Sequence, residues 1–118
     1  MKKDNLIHTL SKAFAVRIVR LSQYMQTEKH EYVLSRQILK SGTSIGVNVR
    51  ESRNAQSMAD FINKLNVALK EADETDYWLD LLYQTDYITK EQYDSLVADN
   101  NYITAVLINI IKSCKGGQ

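Results

Sequence analysis

Three cations of one segment, Arg36, Lys40 and Arg50, are separated by four and ten residues. At about 100° per residue they fall within an arc of about 80° if that segment is helical. Bases gathered on one such face are suited to phosphate contact, because their donors replace the counterions condensed along a nucleic-acid backbone. Arg17 and Arg20 flank the apolar stripe of the preceding segment, and Arg53 closes the second. If the two segments pair, these six bases form one strip that could meet RNA or DNA. The same residues admit another reading, a solvated face bridged to Glu28, Glu31 and Glu51 or to an acidic neighbour. No RNA-recognition motif, zinc-finger spacing or basic zipper region is present, so reading of particular bases is not expected.

Other chemistries find less support. Ser41-Gly42-Thr43-Ser44-Ile45-Gly46 offers hydroxyls and glycines, but no lysine follows at Walker spacing and no strand precedes it. No histidine stands within a few residues to activate those hydroxyls. No glutamate has a histidine three residues later, the pattern by which bundles hold paired metal ions. Cys114 sits on an apolar stripe and reads as a buried structural thiol. The chain is therefore expected to be non-enzymatic, with no metal, cofactor or small-molecule substrate. Gly42 and Gly46 each cost a helix about 1 kcal/mol relative to alanine, so a close contact should offset them. Four residues apart, they share one side of a helix, and the contact lies either within the chain or between chains.

These residues must be held by helices. Ile7, Leu10, Phe14, Ile18, Leu21 and Met25 are spaced three and four apart. Leu34, Ile38, Ser41, Ile45, Val49 and Ser52 do the same, as do Met58, Phe61, Leu65, Ala68, Ala72, Thr75, Leu79 and Leu82. Tyr93, Leu96, Asn100, Ile103, Leu107, Ile110 and Cys114 complete a fourth stripe. The expected helices cover about 4–26, 32–53, 58–85 and 90–113. Thr89 with Gln92 forms a capping box, with Ile88 and Tyr93 placed for a hydrophobic staple, and Ser57 with Asp60 is a second cap. Connections this short force consecutive helices to lie antiparallel, which predicts an all-α, up-down-up-down four-helix bundle formed as one domain over 1–118. Composition agrees. In 118 residues there are no prolines and four glycines, too few turn-formers for an all-β sandwich. Apolar residues make up 44%, too many for a disordered chain, yet no run is long enough for a membrane span or secretory signal. A single cysteine points to a reducing cytoplasm.

The helices carry more apolar surface than one core accounts for. Val16 and Val19 lie away from the first stripe, and Val33 and Val47 lie opposite the second. Ile62, Val67, Leu69 and Trp78 lie off the third, and Val106 and Ile108 off the fourth. Charge is also divided. Residues 2–53 hold ten bases against four acids, +6, and residues 54–118 hold five lysines against ten acids, −5. Both features predict a homo-oligomer, with Val16, Val19, Gly42, Gly46, Val47 and Trp78 at the contact and the basic half of one copy facing the acidic half of the next.

Ser44, Ile45, Asn48 and Glu51 form a Ser-Ile-x-x-Asn-x-x-Glu string, and Glu74, Thr75, Tyr77, Trp78 and Leu79 form Glu-Thr-x-Tyr-Trp-Leu. With these motifs the whole chain resembles the bacterial 23S rRNA intervening-sequence proteins, relatives of the accessory variability protein of diversity-generating retroelements. The resemblance implies an up-down bundle assembled as a homopentameric barrel. The retroelement relatives are strongly basic and bind RNA and reverse transcriptase; this chain departs from them with a net charge of only +1.

Overall fold

The last three helices each begin where a side chain satisfies unpaired N–H groups. In the computed structural model, which describes residues 2–116 and side chains from residue 5 onward, the elements are α1 (Lys2–Glu28), α2 (Val33–Ser52), α3 (Met58–Gln84) and α4 (Lys90–Gly116). The side chains of Lys2, Lys3 and Asp4, counted in the charge division, lie outside the described ones. Ser57 Oγ accepts from Asp60 N–H at 3.0 Å, while the Asp60 carboxylate accepts from Gln56 N–H. The Thr89–Gln92 capping box is reciprocal: Gln92 N–H donates to Thr89 Oγ1 and Thr89 N–H to Gln92 Oε1. α2 has no side-chain cap from Tyr32. Instead the Glu31 carboxylate accepts from the N–H groups of Val33, Leu34 and Ser35, within 3.2 Å, where the helix dipole also favours a negative charge.

The turns that follow α1 and α3 use no glycine. His30 has φ 52° and Asp86 has φ 68°. Around Asp86 the Tyr87 N–H closes on Leu82 O and the Asp86 N–H on Tyr83 O, a Schellman turn in which an aspartate takes the left-handed position.

Every helix touches its chain neighbours, and α1 touches α4. The register is antiparallel throughout. Ser22 meets Ser35 while Arg53 meets His8; Ser41 meets Thr75 while Glu51 meets Lys64; Tyr83 stacks on Tyr93 while Asn100 meets Ala72. The result is an up-down-up-down ring of four helices, without strands among the described residues. Phe14, Ile18, Met25, Ile38, Ile45, Leu65, Leu79, Leu82, Ile103 and Leu107 fill its centre.

Several positions differ from the stripes, and Ile62 and Leu69, expected outside, are half-buried against the core. Met58 is exposed, because it is the first residue of α3 and sits at the bundle end. Val106, expected on the outside, is buried with Ile111, because α4 packs on both α3 and α1 and so needs a broader apolar face than a strict heptad. Cys114 is half-buried at the edge of the core, not enclosed in it.

Candidate nucleic-acid interface

The α1/α2 pair is drawn together by its small residues. Gly42 is buried against Ile18, and a Cβ there would lie 2.8 Å from both Cγ atoms of that side chain. Gly42, expected at a contact between chains, is thus enclosed within the bundle. Gly46 lies beside the Ser11 carbonyl, where a Cβ would stand at an ordinary 3.5 Å. This packing opens a groove of about 660 Å³ on the outer side of the two helices, lined by Lys12, Ala15, Gly46, Val47, Arg50 and Arg53 among others.

The six expected bases do not act as one strip. Arg17 turns toward α4, where it pairs with Asp99 at 2.6 Å and donates to Ser95 Oγ at 3.0 Å. Arg20 lines a shallow cleft on that same side with Tyr24 and Gln92. Arg53 donates from Nε to His8 Nε2 at 2.9 Å. Arg36, Lys40 and Arg50 remain on the exposed outer face of α2, spread over about 21 Å at 1.5 Å per residue. None of the three forms an ion pair with a described residue. Two of the acids that could have neutralised them are occupied elsewhere. Glu31 caps α2, and Glu51 receives Lys64 of α3 at 2.9 Å. Lys12 joins this face. Sequence spacing on α1 alone gave no sign of it; the signal lies in the antiparallel register that sets residues near 12 beside residues near 47.

The hydroxyls of the glycine segment are committed to the backbone. Thr43 Oγ1 donates to Leu39 O, Ser44 Oγ to Lys40 O, and Asn48 Nδ2 to Ser44 O. The buried Ser41 and Thr75 hydroxyls meet each other across α2 and α3. These motif residues therefore position helices. Among the described residues no group of three or more His, Cys, Asp or Glu is placed to hold a metal ion.

Val16, Val19, Val33 and Val47 are exposed, Val47 to 53% and Val16 to 44%. Trp78 is half-buried against the core, its Nε1–H on Glu74 and its ring edge-on to the exposed Tyr77. The second half of the chain, which forms α3 and α4, is the acidic one. One oxygen of Asp76 is buried without a partner, and the loss of hydration, with Asp73 and Asp80 adding repulsion, holds this carboxyl above the usual aspartate range. A carboxyl raised on folding costs stability as pH climbs from the unfolded value of about 3.9 through the folded one, and costs nothing below both. Asp76→Asn should thus raise the thermal midpoint at pH 7 and leave it unchanged at pH 3, compared by calorimetry at the two values.

No helix among the described residues is long and apolar enough to cross a membrane. Comparison with known proteins gives one family: a model described as 23S rRNA-intervening sequence protein matches residues 3–109. A crystal structure from Bacteroides thetaiotaomicron VPI-5482, described as a protein of unknown function from the S23 ribosomal protein family, is 59% identical. The alignment covers 93% of this chain and 98% of that one, with a TM-score of 0.92. No curated protein matches. Neither matched description names an enzyme.

Proposed function

This chain belongs to the 23S rRNA-intervening sequence protein family, and from that membership we propose that it binds RNA in the cytoplasm through the outer face of α1 and α2, without catalysis. The observation that carries the reading is the set of unpaired cations: Arg36, Lys40 and Arg50 stay exposed while Glu31 and Glu51 are engaged elsewhere. Uncompensated positive charge on a rigid helix attracts a polyanion at little conformational cost.

A second reading rests on a separate observation, the exposed valines among these bases together with the acidic second half of the chain. In it, copies join head to tail, basic half to acidic half, and close into a ring of five as the family resemblance suggests.

Fluorescence anisotropy with a single-stranded RNA, alongside light scattering, separates the two. Three phosphate contacts on a single strand predict a salt slope of about −2, or roughly a 20-fold loss of affinity between 50 and 200 mM salt. Arg36→Glu with Lys40→Glu should weaken binding at least about tenfold at 50 mM salt while the scattering mass stays constant. Undetectable RNA binding at 50 mM salt by an intact oligomer removes the first reading. A particle with the mass of one chain at micromolar concentration removes the second.

A further inference from the structure

The groove between α1 and α2 differs from the strip beside it. Its volume, about 660 Å³, is that of a small-molecule pocket, and its lining combines small aliphatic residues with three cations and the polar side chains of His8, Thr9, Ser11 and Thr43. Ala15, Gly46 and Val47 supply apolar surface, and Lys12, Arg50 and Arg53 supply charge. The floor lies open because Gly46 has no side chain to occupy it. Arg53 is oriented as well as charged: its Nε is held by His8, which leaves the two terminal amino groups of the guanidinium to fork onto an anion. A ligand matching this arrangement has a phosphate joined to a flat, weakly polar body.

We propose that the groove holds one unpaired nucleotide of a bound RNA, its phosphate on Lys12, Arg50 and Arg53 and its base against Ala15, Gly46 and Val47. The inference rests on the RNA-binding reading above and narrows it. Bases of a duplex are stacked inside it, so a duplex can lie across Arg36 and Lys40 but cannot place a base on the floor between two packed helices. A single strand can turn a base inward, and arginine planes can stack on it. The pocket therefore selects unpaired RNA by shape, with no need of a sequence.

The experiment compares an oligouridylate of about ten nucleotides with a blunt RNA duplex of the same length, by anisotropy at about 50 mM salt. The single strand should bind at least about tenfold more tightly. Lys12→Ala with Arg53→Ala, which leaves Arg36, Lys40 and Arg50 in place, should cost the single strand about tenfold and the duplex less than about threefold. In a nuclear magnetic resonance titration, uridine 5′-monophosphate should shift the amides of Gly46 and Val47, and inorganic phosphate should leave them in place. Equal affinity for strand and duplex overturns the pocket and leaves the strip intact. Failure of both RNAs to bind overturns the strip as well. Identical shifts with inorganic phosphate reduce the groove to an anion site and overturn the base contact. Shifts at Gly46 and Val47 that follow protein concentration and ignore nucleotide place a second copy in the groove, and the proposal falls.

Discussion

Gly42→Leu should destabilise the bundle by about 3 kcal/mol or more, lowering the thermal midpoint by roughly 10 °C, if the variant folds at all. The geometry leaves it no room. The first added atom, Cβ, would lie 2.8 Å from Cγ1 and Cγ2 of Ile18, a fully buried side chain. Ile18 is β-branched and stiff at χ1, so it cannot rotate aside without leaving its helical rotamer. Either α1 and α2 separate, opening the core along both helices, or the leucine is forced out of register. Gly46 provides the contrast, since a Cβ there meets Ser11 at ordinary distances. Gly46→Ala should therefore keep the fold and gain up to about 1 kcal/mol of helix propensity. If folding of Gly42→Leu is lost, Gly42→Ala paired with Ile18→Ala still tests the contact. The double variant should be more stable than the sum of the two singles by about 1 kcal/mol or more, because the new methyl occupies space that the shortened side chain vacates. A melting midpoint for Gly42→Leu within about 2 °C of the parent contradicts the contact.

Spacing alone made both glycines look alike. Four apart on one side of a helix, they carry the same propensity penalty, and only the axial register of α1 separates a fully enclosed position from one at a groove floor. The same holds for the cations. That Arg36, Lys40 and Arg50 share an outer arc follows from 100° per residue and needs no partner helix. That Arg17 is spent on Asp99, 82 positions away, depends on how α4 docks beside α1. Local rules were legible wherever the interaction is local: the Thr89–Gln92 box, the Ser57 cap and the four stripes all lie within a few residues. Glu31, which the sequence offers as one of three acids for the bases to bridge, is instead the cap of α2. It stands just ahead of α2 in place of a usual cap residue, and its carboxylate reaches three backbone N–H groups that a Ser or Asp would have claimed. Family resemblance supplied a ring of five, a property of chain-to-chain contacts that one chain's core does not determine.

Asn100→Asp should fold nearly as well as the parent at pH 3 and lose about 3 to 4 kcal/mol by pH 7. Asn100 is 2% exposed on α4, and its Nδ2 donates to Ala72 O of α3 at 2.8 Å, while its Oδ1 is buried with no partner. Aspartate has the same shape. Protonated, it can donate to the Ala72 carbonyl as the amide did; ionised, it would oppose that carbonyl with a bare negative charge in an apolar layer beside Ile103 and Leu107. Burial therefore raises the folded pKa of the new carboxyl. Below the unfolded value of about 3.9 both states hold the proton and no penalty arises. Above it the unfolded chain ionises first, and stability falls by about 1.4 kcal/mol per pH unit until the folded pKa is reached. Urea denaturation at pH 3, 5 and 7 reads this slope directly. A flat profile would mean that water reaches residue 100 and that the polar contact between α3 and α4 is solvated. Asn100→Leu separates shape from polarity. It removes the unpartnered oxygen together with the hydrogen bond, and Ala72 O still receives its own helical N–H, so stability should hold or rise. The single amide would then serve to fix the register of α4 against α3, as buried asparagines do between other paired helices.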